Sequence, residues 1–363
     1  MLITIKEIYQ KFQELSKLEK IAVGGWVKSI RESKEKIFIT LNDGSTLKSL
    51  QIIVRKNFSQ SNLLEKINFA STLLVSGKLT LTPERAQNCE LRASKIELVN
   101  PTATDYPFQK KNIPLEIVRH YPHLRTKTNY FLALFRLRHS ISKAIHDFFH
   151  QEGFYYVPTP IITSNDAEGA GEAFTITTDK KEPFFSQPAS LTVSGQLHAE
   201  ALAQGLAEMA FADLEIIINL AEKMIKYVIN YVLDNNSTEL EYLENYDKEN
   251  KKEIIDKLKK IVGMDLQSEH EKYLCQYFNN APVFVLNFPK EIKAFYMKDG
   301  ALSEAKNEVL SENKNNSEKK IVACFDLLFP EIGELIGGST REDDYQVLVE
   351  KARKIGLDTA NLA

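Results

Sequence analysis

The stretch IAVGGWVKSIRESKEKIFITLNDGSTLKSLQIIV, residues 21–54, consists of short apolar segments separated by turn residues. Alternation of apolar and polar residues predicts half-buried strands, and Asn42-Asp43-Gly44 is typical of a hairpin turn. Two later segments of the same kind, at 72–81 and 95–99, bring the number of predicted strands to five. Five short strands indicate a small β-barrel, and the OB-fold is a five-stranded barrel that binds oligonucleotides on one face.

A linker rich in proline follows the predicted barrel. Pro101, Pro107 and Pro114 interrupt both helices and strands over a short distance. We therefore predict an N-terminal domain at residues 1–105, a linker or hinge at 106–125 and a second domain at 126–363.

The second domain is predicted to be a mixture of helices and strands, so the fold class is α+β. Apolar residues at helical spacing predict a long helix over 131–151 that ends at Gly153, and another helix over 214–233. Aromatic and β-branched runs predict strands of a large antiparallel sheet, at residues 154–163, 281–289, 294–297 and 321–329.

Composition predicts a globular protein of a reducing compartment. The chain has 363 residues, of which 43% are hydrophobic and 26% charged, which suits two folded domains. Cys89, Cys275 and Cys324 lack the spacing of a zinc site or a disulfide framework, so a cytoplasmic location is expected. The N-terminus is unlike a signal peptide, and no apolar run reaches membrane-spanning length, so no membrane partner is predicted. With a formal net charge of -3, nucleic-acid binding would depend on local patches.

Four small groups in the second half combine glycines with charged or amide side chains. They are AEGAGEAF at 167–174, LTVSGQLHAE at 191–200, the pair Asp326 and Glu334, and IGGSTRE at 336–342. Glycine allows a backbone to approach a ligand closely, and a neighbouring carboxylate or guanidinium supplies a directed hydrogen bond. Together they predict a small-molecule site, although each group taken singly is better explained as a turn with surface charges.

The order and wording of these groups resemble one family. DAEGAGEAF, LTVSGQLHAE, EMAFADL, DLQSEHEKYL, NFPKEIKAFYM and PEIGELIGGSTRE follow one another, and VGGWVKSIRESKEKIFITLNDGS precedes them. This series is similar to asparaginyl-tRNA synthetase, a class II aminoacyl-tRNA synthetase, over nearly the whole chain. The resemblance implies an OB-fold anticodon-binding domain, a class II catalytic domain, and ATP-dependent ligation of asparagine to tRNA(Asn).

The resemblance also implies an amino-acid site. Glu168 would bind the ammonium group of asparagine, and Ser194 and Gln196 would line the pocket. Glu200 would accept a hydrogen bond from the side-chain amide, while Arg341 would donate one to the amide oxygen. Aspartate would be rejected because its carboxylate would face Glu200 with like charge.

A metal site for the phosphates of ATP is implied by the same resemblance. Asp326 and Glu334 are similar to the acidic residues that hold Mg²⁺ on the nucleotide, and Ser339 would assist them. Carboxylate oxygens suit a hard divalent cation. ATP and Mg²⁺ would thus be substrate and metal, with no tightly bound cofactor.

In the barrel, the resemblance assigns anticodon binding to Arg31, Phe38 and Gln51. Phe38 would stack on a base, and the other two side chains would contact neighbouring base edges. From the barrel pattern alone, Phe38 would more simply be a core residue.

The segment FRLRHSISKAIHDFFHQEGFYYVPTP, residues 135–160, resembles motif 1 of class II synthetases. That motif ends in a proline at the homodimer interface, and Pro160 takes this place. The resemblance therefore predicts a homodimer.

The chain departs from the family pattern at three places. Near 205–207, HAEALAQGLAEMAFADL connects two groups that motif 2, with its ATP-binding arginine, separates in the family. A second gap is expected near 262–264, and the C-terminus falls before motif 3. The residues joined at the first gap favour one continuous helix over 200–214.

Three readings of these departures remain open. The chain is an asparagine-tRNA ligase by descent whose activity is impaired or lost, or it is a non-catalytic module that binds tRNA or asparagine. The third is a decaying gene product with no function of its own.

Overall fold

The computed structural model describes residues 2–55, 61–82, 88–103, 105–108, 113–164, 174–177, 185, 187–206, 209, 212–246, 275, 281–300, 321–330 and 332–355. The chain forms two compact units, Met1–Leu137 with Thr238–Lys251 and Arg138–Ser237 with Lys252–Ala363. Within the described part, no helix has the length and apolar character needed to cross a bilayer.

The first unit contains the predicted barrel. Its strands are β1 Ile21–Glu32, β2 Lys36–Asn42, β3 Leu50–Arg55, β4 Thr72–Leu81 and β5 Cys89–Asn100. They close in the order β1-β2-β3-β5-β4, in which β3 and β5 pair in parallel and the other pairs are antiparallel. Five strands and a closed barrel are therefore confirmed. Gly44 in the predicted turn has φ 79, a conformation that favours glycine.

Alternation along the strands gives the barrel one apolar side. Inward residues such as Ile39, Leu41 and Ile52 are almost completely buried, and they form one core with Ile5 and Ile8 of helix α1, Ile5–Leu15. Thr4 begins this helix with a capping box, because its side chain accepts from Glu7 N while Glu7 accepts from Thr4 N.

The other α-helices in the described residues are α2 Ser61–Leu64, α3 Leu115–His120, α4 Asn129–Gln151, α5 Gln196–Leu206, α6 Leu214–Asn235, α7 Ser237–Tyr246 and α8 Tyr345–Lys354. The long helix predicted over 131–151 is confirmed as α4, and Gly153 just after it has φ 89. The helix predicted over 214–233 is confirmed as α6. Part of the predicted linker is helical, and it contributes Phe108 and Val118 to a small aromatic core.

The second unit is built on a three-stranded antiparallel sheet of order β13-β12-β9. One face packs on α4 and α6 through an apolar core that includes Phe148, Ile225, Phe284 and Phe325. In the part of this unit that the structure describes, the strands are β6 Ile162–Thr163, β7 Thr175–Ile176, β8 Ala189–Leu191, β9 Val283–Leu286, β10 Asp299–Gly300, β11 Ile321–Val322, β12 Cys324–Phe329 and β13 Gly333–Ser339.

Three local predictions are wrong. Residues 154–160 form no strand, since Pro158 and Pro160 cannot donate to a ladder, and β6 begins only at Ile162. Residues 294–297 form a turn that ends in an isolated bridge from Met297 to Arg341.

The continuous helix over 200–214 is the third wrong prediction, because α5 ends at Leu206 and α6 begins at Leu214. Asp213 is extended, and its side chain accepts from Ile216 N at 2.9 Å, so it caps α6.

Candidate functional site

A cleft of about 580 Å³ opens in the second unit beside β12 and β13. Its walls come from the start of α5, from the segment 291–297 and from the facing residues of the two strands. The lining residues are Gln196, Glu291, Lys293, Ala294, Tyr296, Met297, Asp326, Glu334, Gly337, Gly338, Ser339 and Arg341.

Arg341, in the wall of this cleft, contacts Glu200, which is 141 positions away in the sequence and is not itself among the lining residues. Arg341 Nε donates to Glu200 Oε1 at 2.8 Å, and the two side chains are 37% and 32% exposed. Arg341 Nη1 also donates to Ser339 Oγ. The guanidinium is thereby held at two edges, within reach of the cleft.

Gln196 and Tyr296 add further contacts to this pair. Gln196 Nε2 donates to Glu200 Oε1 at 3.3 Å, and Tyr296 OH donates to Gln196 Oε1 at 3.0 Å. The Tyr296 ring also lies under Arg341, with the guanidinium carbon 4.8 Å from the ring centroid. The four side chains form one hydrogen-bonded group that fixes the position of a carboxylate and a guanidinium.

Asp326 and Glu334 converge a short distance along the same sheet. Asp326 pairs with Gly337 across β12 and β13. A Cβ atom on Gly337 would lie 2.8 Å from Glu334 Oε1 and 3.4 Å from Asp326 Oδ1. Glycine at this position therefore leaves the space into which both carboxylates point.

A lysine already contacts one of these carboxylates. Lys293 Nζ donates to Asp326 Oδ2 at 2.6 Å and lies 3.9 Å from the centroid of the Phe288 ring. Within the described residues, no group of three or more His, Cys, Asp or Glu side chains could hold a metal ion. Any divalent cation at this place would need ligands from a bound substrate as well.

The other predicted site residues are only partly brought together. Ser194 is not among the residues that line the cleft; its Oγ accepts from Gln196 N at 3.1 Å at the start of α5. Ser339 lines the cleft but contacts Arg341, not the two carboxylates. Glu168 and the predicted gap near 262–264 lie outside the described residues.

Sequence reasoning did not select Lys293 or Tyr296. Both lie in NFPKEIKAFYM, one of the segments that resemble the family, so the sequence does contain a signal for them. Their roles depend on contacts with Asp326 and Gln196, which are far away in the sequence.

The predicted anticodon residues lie on the outer face of the barrel. Phe38 pairs with Arg31 on β1 and with Ile53 on β3, and the Arg31 guanidinium carbon is 5.1 Å from the Phe38 ring centroid. Gln51 pairs with Thr40, two residues from Phe38 on the same face. Phe38 is half-buried and is not part of the barrel core.

Comparison with known proteins places the chain in a family. The profile of class II tRNA synthetases (D, K and N) matches residues 114–206 and 204–362, and the profile of the OB-fold nucleic acid binding domain matches residues 21–99. The asparagine-tRNA ligase of Mycoplasma mycoides is 40% identical over 98% of this chain and 89% of its own length. The chain belongs to the asparagine-tRNA ligase family. The Clostridium tetani member is 37% identical over 98% of this chain and 88% of that protein.

Solved structures agree with this assignment at the level of the fold. The asparaginyl-tRNA synthetase of Pyrococcus horikoshii, crystallised with asparaginyl-adenylate, superposes with a TM-score of 0.78. The match covers 99% of this chain and 88% of that one at 23% identity. The OB-fold barrel followed by a class II synthetase domain is therefore the fold of this member of the family.

Proposed function

We propose that this asparagine-tRNA ligase family member binds asparagine in the cleft through Glu200 and Arg341. The observation that carries the proposal is the Glu200–Arg341 contact at 2.8 Å, supported by Gln196 and Tyr296. A carboxylate and a guanidinium side by side match the two ends of a side-chain amide. Glu200 accepts from the amide nitrogen, and Arg341 donates to the amide oxygen.

The same pair discriminates against aspartate. An aspartate carboxylate would present an oxygen to Glu200 where asparagine presents an N–H donor, so one charged acceptor would face another. A site whose carboxylate accepts from the substrate's N–H donor rejects the analogue that presents an acceptor in its place, because like charges then face each other.

Calorimetric titration of the purified chain with asparagine and with aspartate tests this assignment. The parent chain should bind asparagine in preference to aspartate. Glu200→Gln should bind asparagine more weakly than the parent chain and aspartate more tightly, since a glutamine amide can donate a hydrogen bond to a carboxylate. Glu291→Gln is the matched control, because it also removes one negative charge, from the lining of the cleft beside Arg341. Unchanged discrimination in Glu200→Gln would show that the pocket assignment is wrong.

ATP and Mg²⁺ belong beside the amino acid, at Asp326 and Glu334. The two carboxylates converge over Gly337, and Mg²⁺ is commonly held by one or two carboxylates together with substrate phosphates. When bound, the metal would neutralise charge on the phosphates of ATP. The residues of this chain would then position the asparagine carboxylate for attack on the α-phosphorus, which releases pyrophosphate.

We further propose that this activation step is slow or lost in this chain. The class II profile matches in two blocks that meet at residues 204–206, next to the gap predicted near 205–207. The alignment with the Mycoplasma mycoides protein is 420 positions long but includes only 98% of a 363-residue chain, so roughly 60 of its positions have no residue here. A missing arginine donor costs on the order of 3 kcal/mol of transition-state stabilisation.

Asparagine-dependent pyrophosphate exchange with ATP and magnesium measures this step directly. We expect exchange well below that of the Mycoplasma mycoides enzyme assayed in parallel. Exchange at an equal rate would overturn the proposed impairment while leaving asparagine-tRNA ligation as the function.

tRNA binding by the barrel is the second candidate function, and it does not require activation. Arg31, Phe38 and Gln51 share the outer face, where the half-buried Phe38 ring and the Arg31 guanidinium over it would bind a base together. The partner would be tRNA(Asn). If exchange is absent and tRNA(Asn) still binds, the chain acts as a binding module.

A homodimer is proposed from the surface around Pro160. Pro160 is exposed, and the nearby apolar side chains of Tyr155, Tyr156 and Ile161 are each at least 70% exposed. Neighbouring exposed apolar side chains on this scale are typical of interfaces. Sedimentation of the parent chain should give a dimer, and Ile161→Glu should give a monomer of unchanged secondary structure. A monomeric parent chain would contradict the proposal.

A further inference from the structure

Asp326, a proposed metal ligand, is already neutralised by a side chain of the same cleft. The Lys293 Nζ to Asp326 Oδ2 distance is 2.6 Å, and the two side chains are only 19% and 13% exposed. The face of the Phe288 ring supports the same ammonium group. A divalent cation cannot take this oxygen as a ligand while the ammonium group keeps its place.

A lysine side chain can readily exchange one such ion pair for another. Its charge sits at the end of four methylene groups, and it binds phosphate as a point charge without a fixed fork geometry. Lys293 lines the cleft together with Asp326 and Glu334, so a nucleotide bound in this cleft would lie next to the lysine side chain.

We propose that Lys293 is an exchangeable counter-ion of Asp326. It holds the carboxylate while the cleft contains no nucleotide, and it turns to the nucleotide phosphates when metal and nucleotide enter together. Lys293 thereby suppresses metal binding in the absence of nucleotide and contributes a positive charge to the phosphates afterwards. The inference rests on the proposed ATP site, and it adds a phosphate-binding residue and an order of binding to that site.

The position of the Lys293–Asp326 pair supports this role. Asp326 is beside Glu334, and removal of the ammonium group would leave two carboxylates converging without compensation. The pair lies in the wall of the cleft, beside the space over Gly337 where both carboxylates converge.

Mn²⁺ titration followed by electron paramagnetic resonance, without any substrate, tests whether Lys293 suppresses metal binding in the absence of nucleotide. Lys293→Met should bind Mn²⁺ on the order of tenfold more tightly than the parent chain, because repulsion by a neighbouring ammonium group is removed. Lys290→Met is the matched control, since Lys290 lies on the same segment but pairs with Asp299. Asp326→Asn added to Lys293→Met should abolish the gain.

Binding of ATP in the presence of a chelator tests whether Lys293 contacts the nucleotide phosphates. Asp326→Asn should bind metal-free ATP several-fold more tightly than the parent chain, because it frees Lys293. Lys293→Met should bind it more weakly. If Lys293→Met fails to fold, the Asp326→Asn result alone decides.

The outcomes separate this inference from the proposed function. Tighter Mn²⁺ binding in Lys293→Met with no pyrophosphate exchange would support both the counter-ion role and the proposed loss of activation. Active exchange with unchanged Mn²⁺ affinity in Lys293→Met would overturn the counter-ion role alone.

Discussion

Lys351 on α8 donates to Glu342 Oε2 at 2.7 Å, and the two side chains are only 5% and 6% exposed. The same ammonium group donates to Met297 O at 2.8 Å and pairs with Asp299 Oδ1 at 2.8 Å. Burial alone would lower the pKa of Lys351, but its hydrogen bonds to Asp299 and Glu342 outweigh burial and raise the pKa. One lysine thus joins the last helix to both segments that carry the cleft residues Tyr296 and Arg341.

Replacing this lysine should loosen both segments. Lys351→Met leaves Glu342 buried without its partner, which typically costs about 3–5 kcal/mol. Hydrogen exchange at the amides of Lys298 and Glu342, which bond to Thr340 O and Tyr296 O, measures the loss locally. Lys354→Met, at an exposed position on the same helix, should change nothing. Equal protection in Lys351→Met and the parent chain would show that the ion pair does not hold the segments.

Addition of a methyl group at two adjacent glycines of β13 should affect two different properties, nucleotide binding and stability, because neighbouring strand residues face opposite sides of a sheet. Gly337→Ala would press on Glu334 Oε1 at 2.8 Å, whereas Gly338→Ala would clash with the Phe325 ring. The first should weaken Mn²⁺-ATP binding by about tenfold, as expected for a change behind a metal ligand. The second should destabilise the core by about 1–3 kcal/mol.

Calorimetric titration with Mn²⁺-ATP and thermal unfolding of both variants distinguish the two effects. Loss of nucleotide binding without loss of stability is expected only for Gly337→Ala. If both variants merely unfold more easily, the space over Gly337 has no part in nucleotide binding.

Lys28 should make the stability of the barrel depend on pH. Burial, followed by the charge of Lys127, lowers the pKa of Lys28 to about 8 from an ordinary value of 10.5. Between these two values the unfolded chain binds more protons than the folded one, so stability rises with pH across this window. The full rise is at most about 3 kcal/mol.

Other groups in the barrel oppose this trend at higher pH. Burial raises the pKa of Tyr9 to about 12 and also raises the pKa of Cys89, so stability from these groups falls as pH rises above their unfolded values. The difference between the parent chain and Lys28→Met, measured by urea unfolding from pH 7 to pH 10, removes their contribution. A difference that stays constant with pH would exclude a lowered pKa for Lys28.

The barrel was predictable from the sequence because its signal is local. Period-two alternation marks each strand, and Gly44 marks the turn between β2 and β3. The parallel pairing of β3 with β5 closes the barrel, and no local pattern encodes it. Local patterns gave a wrong prediction where tertiary contacts determine the secondary structure. The aromatic run at 294–297 forms a turn instead of a strand.

The cleft was predictable only through the resemblance. Glu200 and Arg341 were named because the family places them together, and nothing in their spacing requires it. The contact of Lys293 with Asp326 joins positions that are 33 residues apart, and sequence reasoning did not find it. Such contacts depend on how β12 and the segment before β10 pack, and single-sequence periodicity does not report that packing.

Phe38 on the outer face of the barrel should contribute to tRNA binding and little to stability. Stacking of a base on an aromatic ring is worth about 1–3 kcal/mol, so Phe38→Ala should weaken tRNA(Asn) binding by that amount. The slope of affinity against salt concentration should stay the same, because no charge is removed. Filter binding at several salt concentrations measures both quantities.

Ile39 is the matched control, since it is the next residue on β2 and points into the barrel core with 1% exposed. Ile39→Val should cost about 0.5–1.5 kcal/mol of stability and leave the affinity for tRNA(Asn) unchanged. If Phe38→Ala behaves like Ile39→Val, the ring serves packing and the outer face of the barrel does not bind the anticodon. If only Phe38→Ala loses affinity, the outer side of β2 serves tRNA binding and the inner side serves folding.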